Sequence, residues 1–344
     1  MRIMSITNKE IESRIIAKGW KPNLYLTNMS MAYFSEPGDF VARKIFPICP
    51  VGLASSSYYI FNRADLARDN VGRKPQFGKV APAVMGQSDD NYNCKVDQII
   101  VGIDLIAQTN YERSKAPGVA DPRRAKVRFA QEQMDLHLDL VFAEKFFKSG
   151  IWSNEWTGVA SGADESSKKM LKWDDANFDP VAFFDERKTE FKKNGRRKPN
   201  RLGLGAGAFA ALKNNPNILE RIKYTGSSAN PAVVTEKVLA DLFGIEQVTV
   251  LESTYNAADY GSEDMKYICD ENSALLVYAT PSPSIDEPSA GYIFTWDMLG
   301  NGNYTAFSQF EGEGGTHSAF IEGLISNDMK KTSDDLGMFF TSCR

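Results

Sequence analysis

Histidine is almost missing from this 344-residue chain, which has only His137 and His317. That scarcity starves most acid–base and nucleophilic schemes. His137 falls in mid-helix and reads as a structural or surface residue, while His317, near Glu311 and Glu313, is a single group without a catalytic set around it. Cysteine is sparse too: Cys49, Cys94, Cys269 and Cys343 lie far apart with no C-x-x-C pair. Neither a zinc site nor a thioredoxin-like motif is suggested, and the thiols read as buried or incidental in a reducing compartment. There is no run of about 18 apolar residues, and Met1 to Lys9 contains no apolar signal region. The expectation is a protein neither secreted by a signal peptide nor spanning a membrane. Net charge is also low, at −4, so no global field draws the chain towards nucleic acid or an anionic membrane. No internal repeat or heptad is present.

What is present is a length sufficient for one large domain or two ordinary ones, with a composition ordinary for a soluble globular protein. Residues 1 to about 38 hold no sustained period and read as an arm lying on other structure. Phe40 to Val51 contains Pro47 and Pro50, which allow only an extended, edge-like run. Strands are expected at Ser56 to Asn62 and at Cys94 to Ala107, where β-branched residues dominate. Between them, Arg63 to Asn93 is polar, charged and broken by Gly72, Pro75, Gly78, Pro82 and Gly86. Connections in one compact domain are typically about 4–6 residues, so this ribbon is either disordered or held by something outside its own subunit.

The clearest helix starts at Asp121-Pro122 and stops at Gly150. At about 1.5 Å per residue it spans roughly 40 Å, the length of a spine. Its apolar residues suggest two stripes, Val127, Ala130, Met134, Leu138, Val141 and Phe129, Leu136, Leu140, Ala143, Phe147. A second Asp-Pro start opens a helix from Asp179 to Lys193 that stops at Gly195. Further helices are expected at Phe209 to Asn214, Asn217 to Lys223 and Thr235 to Phe243, with strands at Asn200 to Leu204, Gln247 to Leu251, Ala274 to Tyr278 and Gly291 to Trp296. The mixed order without regular alternation indicates an α+β class.

Two features resemble binding motifs. Gly203-Leu-Gly205-Ala-Gly207-Ala matches the G-x-G-x-x-A variant of the dinucleotide fingerprint, but the acid at a suitable distance, Glu220, falls inside a helical pattern rather than at a strand end. The reading preferred is a tight strand-to-helix turn without cofactor. Carboxylate pairs such as Asp89-Asp90 and Asp174-Asp175 fall in polar loops and read as solvated. Arg123, Arg124, Lys126 and Arg128 crowd the start of the spine helix, where the macrodipole disfavours cations. A compensating anion is expected there, either a neighbour's carboxylates or nucleic-acid phosphate, with internal acidic partners as the plain alternative. No catalytic residue, cofactor-binding residue or metal ligand is assigned.

The order of segments carries a resemblance. Phe178-Asp-Pro180, Arg197-Lys-Pro-Asn-Arg-Leu-Gly-Leu-Gly205, Asn215-Pro216 with Ile218-Leu-Glu-Arg-Ile222, and Val234-Thr-Glu-Lys-Val-Leu-Ala-Asp-Leu-Phe243-Gly are similar to the central part of tailed-bacteriophage major capsid proteins. Asn28-Met-Ser-Met-Ala-Tyr33 and Phe40-Val-Ala-Arg-Lys-Ile-Phe-Pro47 resemble the segment before the extended loop of that family. The resemblance implies a Hong Kong phage type fold and a non-enzymatic shell subunit. It maps residues 1–51 to an arm and lead-in strand, 52–107 to an extended loop, 108–199 to a peripheral domain with spine helix 121–149, 200–315 to an axial domain and 316–344 to a return. It implies self-assembly into hexamers and pentamers around double-stranded DNA, with scaffold, portal and decoration proteins as further partners, no membrane, and a place in the virion after assembly in host cytoplasm. Arg63, Arg68, Arg73, Lys74 and Lys79 become intersubunit contact candidates, and Arg123, Arg124, Lys126 and Arg128 face DNA or a neighbour's carboxylates. No long cleavable scaffolding segment precedes the arm, so a separate scaffold or none is expected. The alternatives are an encapsulin-like compartment and a nucleotide-dependent enzyme built on Gly203 to Gly207.

Overall fold

The computed structural model describes residues 40–61, 69–74, 76–80, 82, 87–104, 106, 108–109, 113, 122–223, 233–259, 261–299, 304–312 and 318–344. The expectations for the arm, Asp121, Arg63, Arg68 and His317 lie outside these residues. The segment expected to be extended throughout, Phe40 to Val51, begins instead as a short helix, α1 (Ala42–Ile45), before β1 (Ile48–Val51). Distant side chains impose that helix. The Asp139 carboxylate accepts from the N–H groups of Val41 (2.9 Å) and Ala42 (2.8 Å), and the Arg201 guanidinium donates to the carbonyls of Lys44 and Ile45. An anion at the N-terminus and a cation at the C-terminus satisfy the groups that a helix leaves bare.

An antiparallel ribbon follows, β2 (Ser55–Phe61) with β3 (Gln87–Asn93), Ser55 opposite Asn93 and Phe61 opposite Gln87. The polar run QSDDNYN is thus a strand and the Asp89-Asp90 pair lies on it, a correction to their reading as loop; cross-strand pairing supplies what composition did not. The strand expected at Cys94 to Ala107 is β4 (Lys95–Asp104), which leaves the ribbon and joins the body.

Next come the spine helix α2 (Pro122–Phe146), β5 (Glu155–Val159), β6 (Lys169–Leu171) and α3 (Pro180–Gly195). Asp179 caps α3 through the N–H of Val181, and the helix ends on Arg196 in the left-handed region. Then β7 (Arg201–Gly205) runs into α4 (Ala206–Asn214), α5 (Pro216–Lys223) and α6 (Glu236–Phe243), and returns as β8 (Gln247–Leu251) parallel to β7. The chain continues through the hairpin β9 (Thr254–Asn256) and β10 (Met265–Tyr267), then β11 (Ala274–Val277), β12 (Gly291–Trp296), β13 (Thr305–Glu311), β14 (Ser318–Lys331) and β15 (Gly337–Thr341).

Two sheets organise the body. In one, β14 pairs with β4 on one side and with β13 and β12 on the other, and β1 extends β12. The second runs β6-β5-β15-β11-β7-β8. The sheets do not follow the expected boundaries at 199 and 315. Strands β5 and β6 share a sheet with β7, while β12 and β13 share one with β4.

The spine helix serves both sheets. Val127, Ala130 and Met134 pack with Val101, Ile103, Phe307 and Ile321 of the first. Leu138, Phe142 and Phe146 join the larger core, where Phe46 packs edge-on against Phe142 and Phe146 at 5.3 and 5.1 Å. The first stripe is the better buried, with only Val141 half-buried; of the second, Phe129 is 49% exposed, Leu136, Leu140 and Ala143 are half-buried, and Phe147, just past the helix end, is buried. The buried face also carries Gln131, Asp135 and Asp139.

Candidate assembly interface

The base of the ribbon is anchored on its own body. Tyr58 and Tyr92 are buried against Phe294, the latter stacked at 4.7 Å, and the Tyr58 hydroxyl donates to Asp90 at 2.9 Å. The N–H of Asn91 and this hydroxyl hold the Asp90 carboxyl below the usual range. At the root, the Asn93 N–H donates to Asp328 at 2.9 Å.

The described residues of the far end have no such support among the described residues of the body. Val71 is 91% and Phe77 99% exposed, and Arg73, Lys74 and Lys79 are exposed beside them. Phe77 also sits at φ 64°, a left-handed conformation that a bulky residue rarely adopts. A two-stranded ribbon is marginal in water by itself, and large exposed apolar groups mark interaction sites. Of the five contact candidates in the ribbon, these three described ones share its outer end, clear of the body.

The basic start of α2 is resolved in part. Arg123 is half-buried, Arg124 and Lys126 are exposed, and Arg128 donates to Glu132 one turn on at 2.9 Å. There is no acid in the first turn. His137 is exposed, 3.8 Å from Asp97, and takes part in no catalytic arrangement among the described residues.

The glycine turn has the geometry of a βαβ crossover after all, since β7 leads into α4 and returns as parallel β8. Its phosphate position is filled. A Cβ on Gly205 would lie 2.3 and 2.4 Å from the carbonyl oxygens of Asp270 and Glu271, and one on Gly207 would lie 2.6 Å from Asn272. The Glu271 carbonyl already accepts from the Ala208 N–H at 2.9 Å. These glycines admit the protein's own backbone where a nucleotide-binding turn admits pyrophosphate. The asparagines near this turn are staples as well. Asn200 bonds both ways with Ala279 at 2.8 Å, and Asn215 donates to the Trp173 carbonyl at 2.8 Å.

A buried polar joint was not foreseen. Arg43 of α1 pairs with Asp135 at 2.5 Å, and Asp139 accepts from Ser253 at 3.0 Å besides capping α1. Burial pushes the Asp135 carboxyl up to about 6 despite Arg43, raises Asp139 and lowers Arg43. The joint ties the lead-in segment, the spine and the turn after β8 together. Its signal in the sequence was the spacing of four that places Gln131, Asp135 and Asp139 beside Leu138 and Phe142 on one helical face. All four cysteines are buried and free, and burial raises Cys49 to about 11 and Cys94 to about 12, so they are inert thiols.

This arrangement, a spine helix between two sheets with a projecting ribbon, recurs in a solved structure. A phage-related protein from Bordetella bronchiseptica RB50 superposes with a TM-score of 0.70 at 18% identity, covering 94% of this chain and 97% of that one. The chain has the Hong Kong phage type capsid fold. It is also 24% identical over 240 residues to the major capsid protein of Burkholderia phage BcepMu, covering 67% of this chain and 68% of that protein. The capsid protein of prophage from E. coli CFT073 aligns at 12% identity over 92% of this chain and 98% of its own, with a TM-score of 0.46. No family model matches the chain. The resemblance to tailed-phage major capsid proteins read from the sequence is borne out, and with it the α+β class.

Proposed function

We propose that this chain is the major capsid protein of a tailed phage, a structural subunit that self-assembles into a closed shell. One observation carries the reading: the ribbon is rooted on its own body by Tyr58 and Tyr92, while its end presents Val71 and Phe77 to solvent. Neighbouring copies supply the missing surface, and heterologous contacts of this kind generate rings when the rotation closes. The relationship to the BcepMu major capsid protein supports the reading. Arg73, Lys74 and Lys79 are the intersubunit contacts at the ribbon end. Arg123, Arg124 and Lys126, crowded at the start of α2, are the candidates for facing packaged DNA or a neighbour's carboxylates. Hexamers and pentamers, a separate scaffold, portal and decoration proteins, assembly in host cytoplasm and residence in the virion belong to the same reading.

Electron microscopy of the purified protein tests it, with closed particles of uniform diameter as the expected result. A subunit that stays monomeric at high concentration, alone and with the phage's own scaffold protein, overturns it. Particles enclosing a protein cargo in place of DNA would reassign it to an encapsulin-like compartment.

A further inference from the structure

The surface beside the start of α3 contains a cavity of about 270 Å³ with an apolar floor of Trp156, Met170, Phe178 and Phe183. Small-molecule sites typically run to about 300–1,000 Å³, so this one suits a single large side chain. The aromatic floor is held rigidly. The Arg187 guanidinium lies 4.1 Å over the Trp156 ring and is itself fixed by Glu190 at 2.8 Å and Glu165 at 3.1 Å. Phe183 meets Trp156 edge-on at 5.7 Å and Phe178 at 5.2 Å. Trp156 is 2% exposed, yet its indole N–H has no acceptor among the described residues. An unpaired buried donor is costly.

The rim is acidic. Asp164, Glu165, Asp179 and Glu186 surround the opening with Lys169; Glu165 and Glu186 share Arg187 with Glu190, and Asp179 pairs with Arg221, so the carboxylates still outnumber the cations. The outer ribbon has the opposite character. Residues 70–80 contain Arg73, Lys74 and Lys79 and no acid, and Phe77 stands free between two of these cations. Its left-handed backbone presents the ring at a cost that a functional contact would offset.

We propose that Phe77 of a second copy enters the Trp156–Phe183 cavity, with Lys74 and Lys79 of that copy against the acidic rim. An aromatic anchor in a desolvated pocket within a charged rim is the usual build of an interface hot spot. The inference rests on the reading of the chain as a shell subunit and assigns a socket to its ribbon.

A double-cysteine variant tests it: Phe77→Cys with Ala182→Cys, both exposed positions, the second lining the cavity. Oxidation of assembled particles with copper–phenanthroline is expected to give a ladder of linked subunits, and each single variant none. Phe77→Ser is expected to raise the subunit concentration needed for assembly at least roughly tenfold, the loss typical of a hot-spot aromatic. Lys79→Glu with Glu186→Lys is expected to restore assembly that either change alone impairs. If the wild type forms particles but the double-cysteine variant, assembled at a subunit concentration raised to offset the loss of Phe77, gives no ladder or links only within one chain, the socket is overturned and the shell reading stands. An absence of particles from the wild type removes both.

Discussion

The joint on α2 and the outer ribbon treat their difficult groups in opposite ways. In the joint, two carboxylates and a guanidinium are taken out of water and held by one another, by backbone N–H groups and by Ser253, so that α1, α2 and the turn bearing Ser253 have one arrangement. In the ribbon, apolar side chains are left in water and nothing among the described residues receives Phe77. Buried charge here specifies how the subunit is put together, whereas exposed apolar surface specifies that it is incomplete. The largest effect of mutation on the lone subunit therefore belongs to the joint. Asp135→Ala leaves Arg43 charged and buried without its carboxylate, a change expected to cost about 3–5 kcal/mol in chemical denaturation. A loss below about 1 kcal/mol would mean that Arg43 reaches water in solution, and the contrast with the ribbon would weaken.

The root of the ribbon should behave like core, unlike its end. Tyr92 is 2% exposed and stacked on Phe294, so Tyr92→Ala is expected to cost about 3 kcal/mol through the cavity it opens. Urea unfolding of the soluble subunit measures this. An unchanged midpoint would show that the whole ribbon, and not only its end, is detached from the body.

How much of this contrast was legible in the sequence depends on where each cause lies. The spine, the Asp179-Pro180 start of α3 and the helix that ends at Gly244 were legible because their caps and stops are neighbours in the chain. The exposed ribbon end was legible as well, because its composition offers no core. What escaped had distant causes. The helix α1 depends on Asp139 and Arg201, β3 depends on pairing with β2, and the division into sheets depends on β14 reaching both β4 and β12. The glycine turn was read as a tight strand-to-helix turn, but for an incomplete reason. The crossover is present, and it is the carbonyls of Asp270 and Glu271 that fill the phosphate position.

The joint should also respond to pH. The Asp135 carboxyl is pushed up to about 6 by burial, from an unfolded value near 4. Between these values the folded subunit holds a proton that the unfolded chain has released, so stability rises as pH falls through that window. The gain is about 1 kcal/mol between pH 7 and 5. Arg43, Gln131 and Asp139 face the same group, and Asp139, also raised by burial, titrates beside it. Below about pH 4 the sign reverses, because Asp90 and Asp334 have lowered values and lose their stabilising charge there. Denaturation midpoints across pH 4–7 measure the rise, and a flat profile would place Asp135 in contact with solvent.

The smallest expected effect sharpens the comparison most. Replacing Val71, Phe77 and Val80 together by serine removes three apolar side chains, yet the first two are almost fully exposed and Val80 is 41% exposed. Surface changes away from packed features stay within about 0.5 kcal/mol, and the lone subunit should unfold at the wild-type midpoint to within that margin. Particle formation, measured on the same preparation, should fall sharply. The two readouts separate because folding uses only what the chain buries against itself, and assembly uses what it leaves over. A variant that lost stability and assembly in parallel would show that the ribbon end has a resting place on its own body, and the incompleteness attributed to the subunit would disappear.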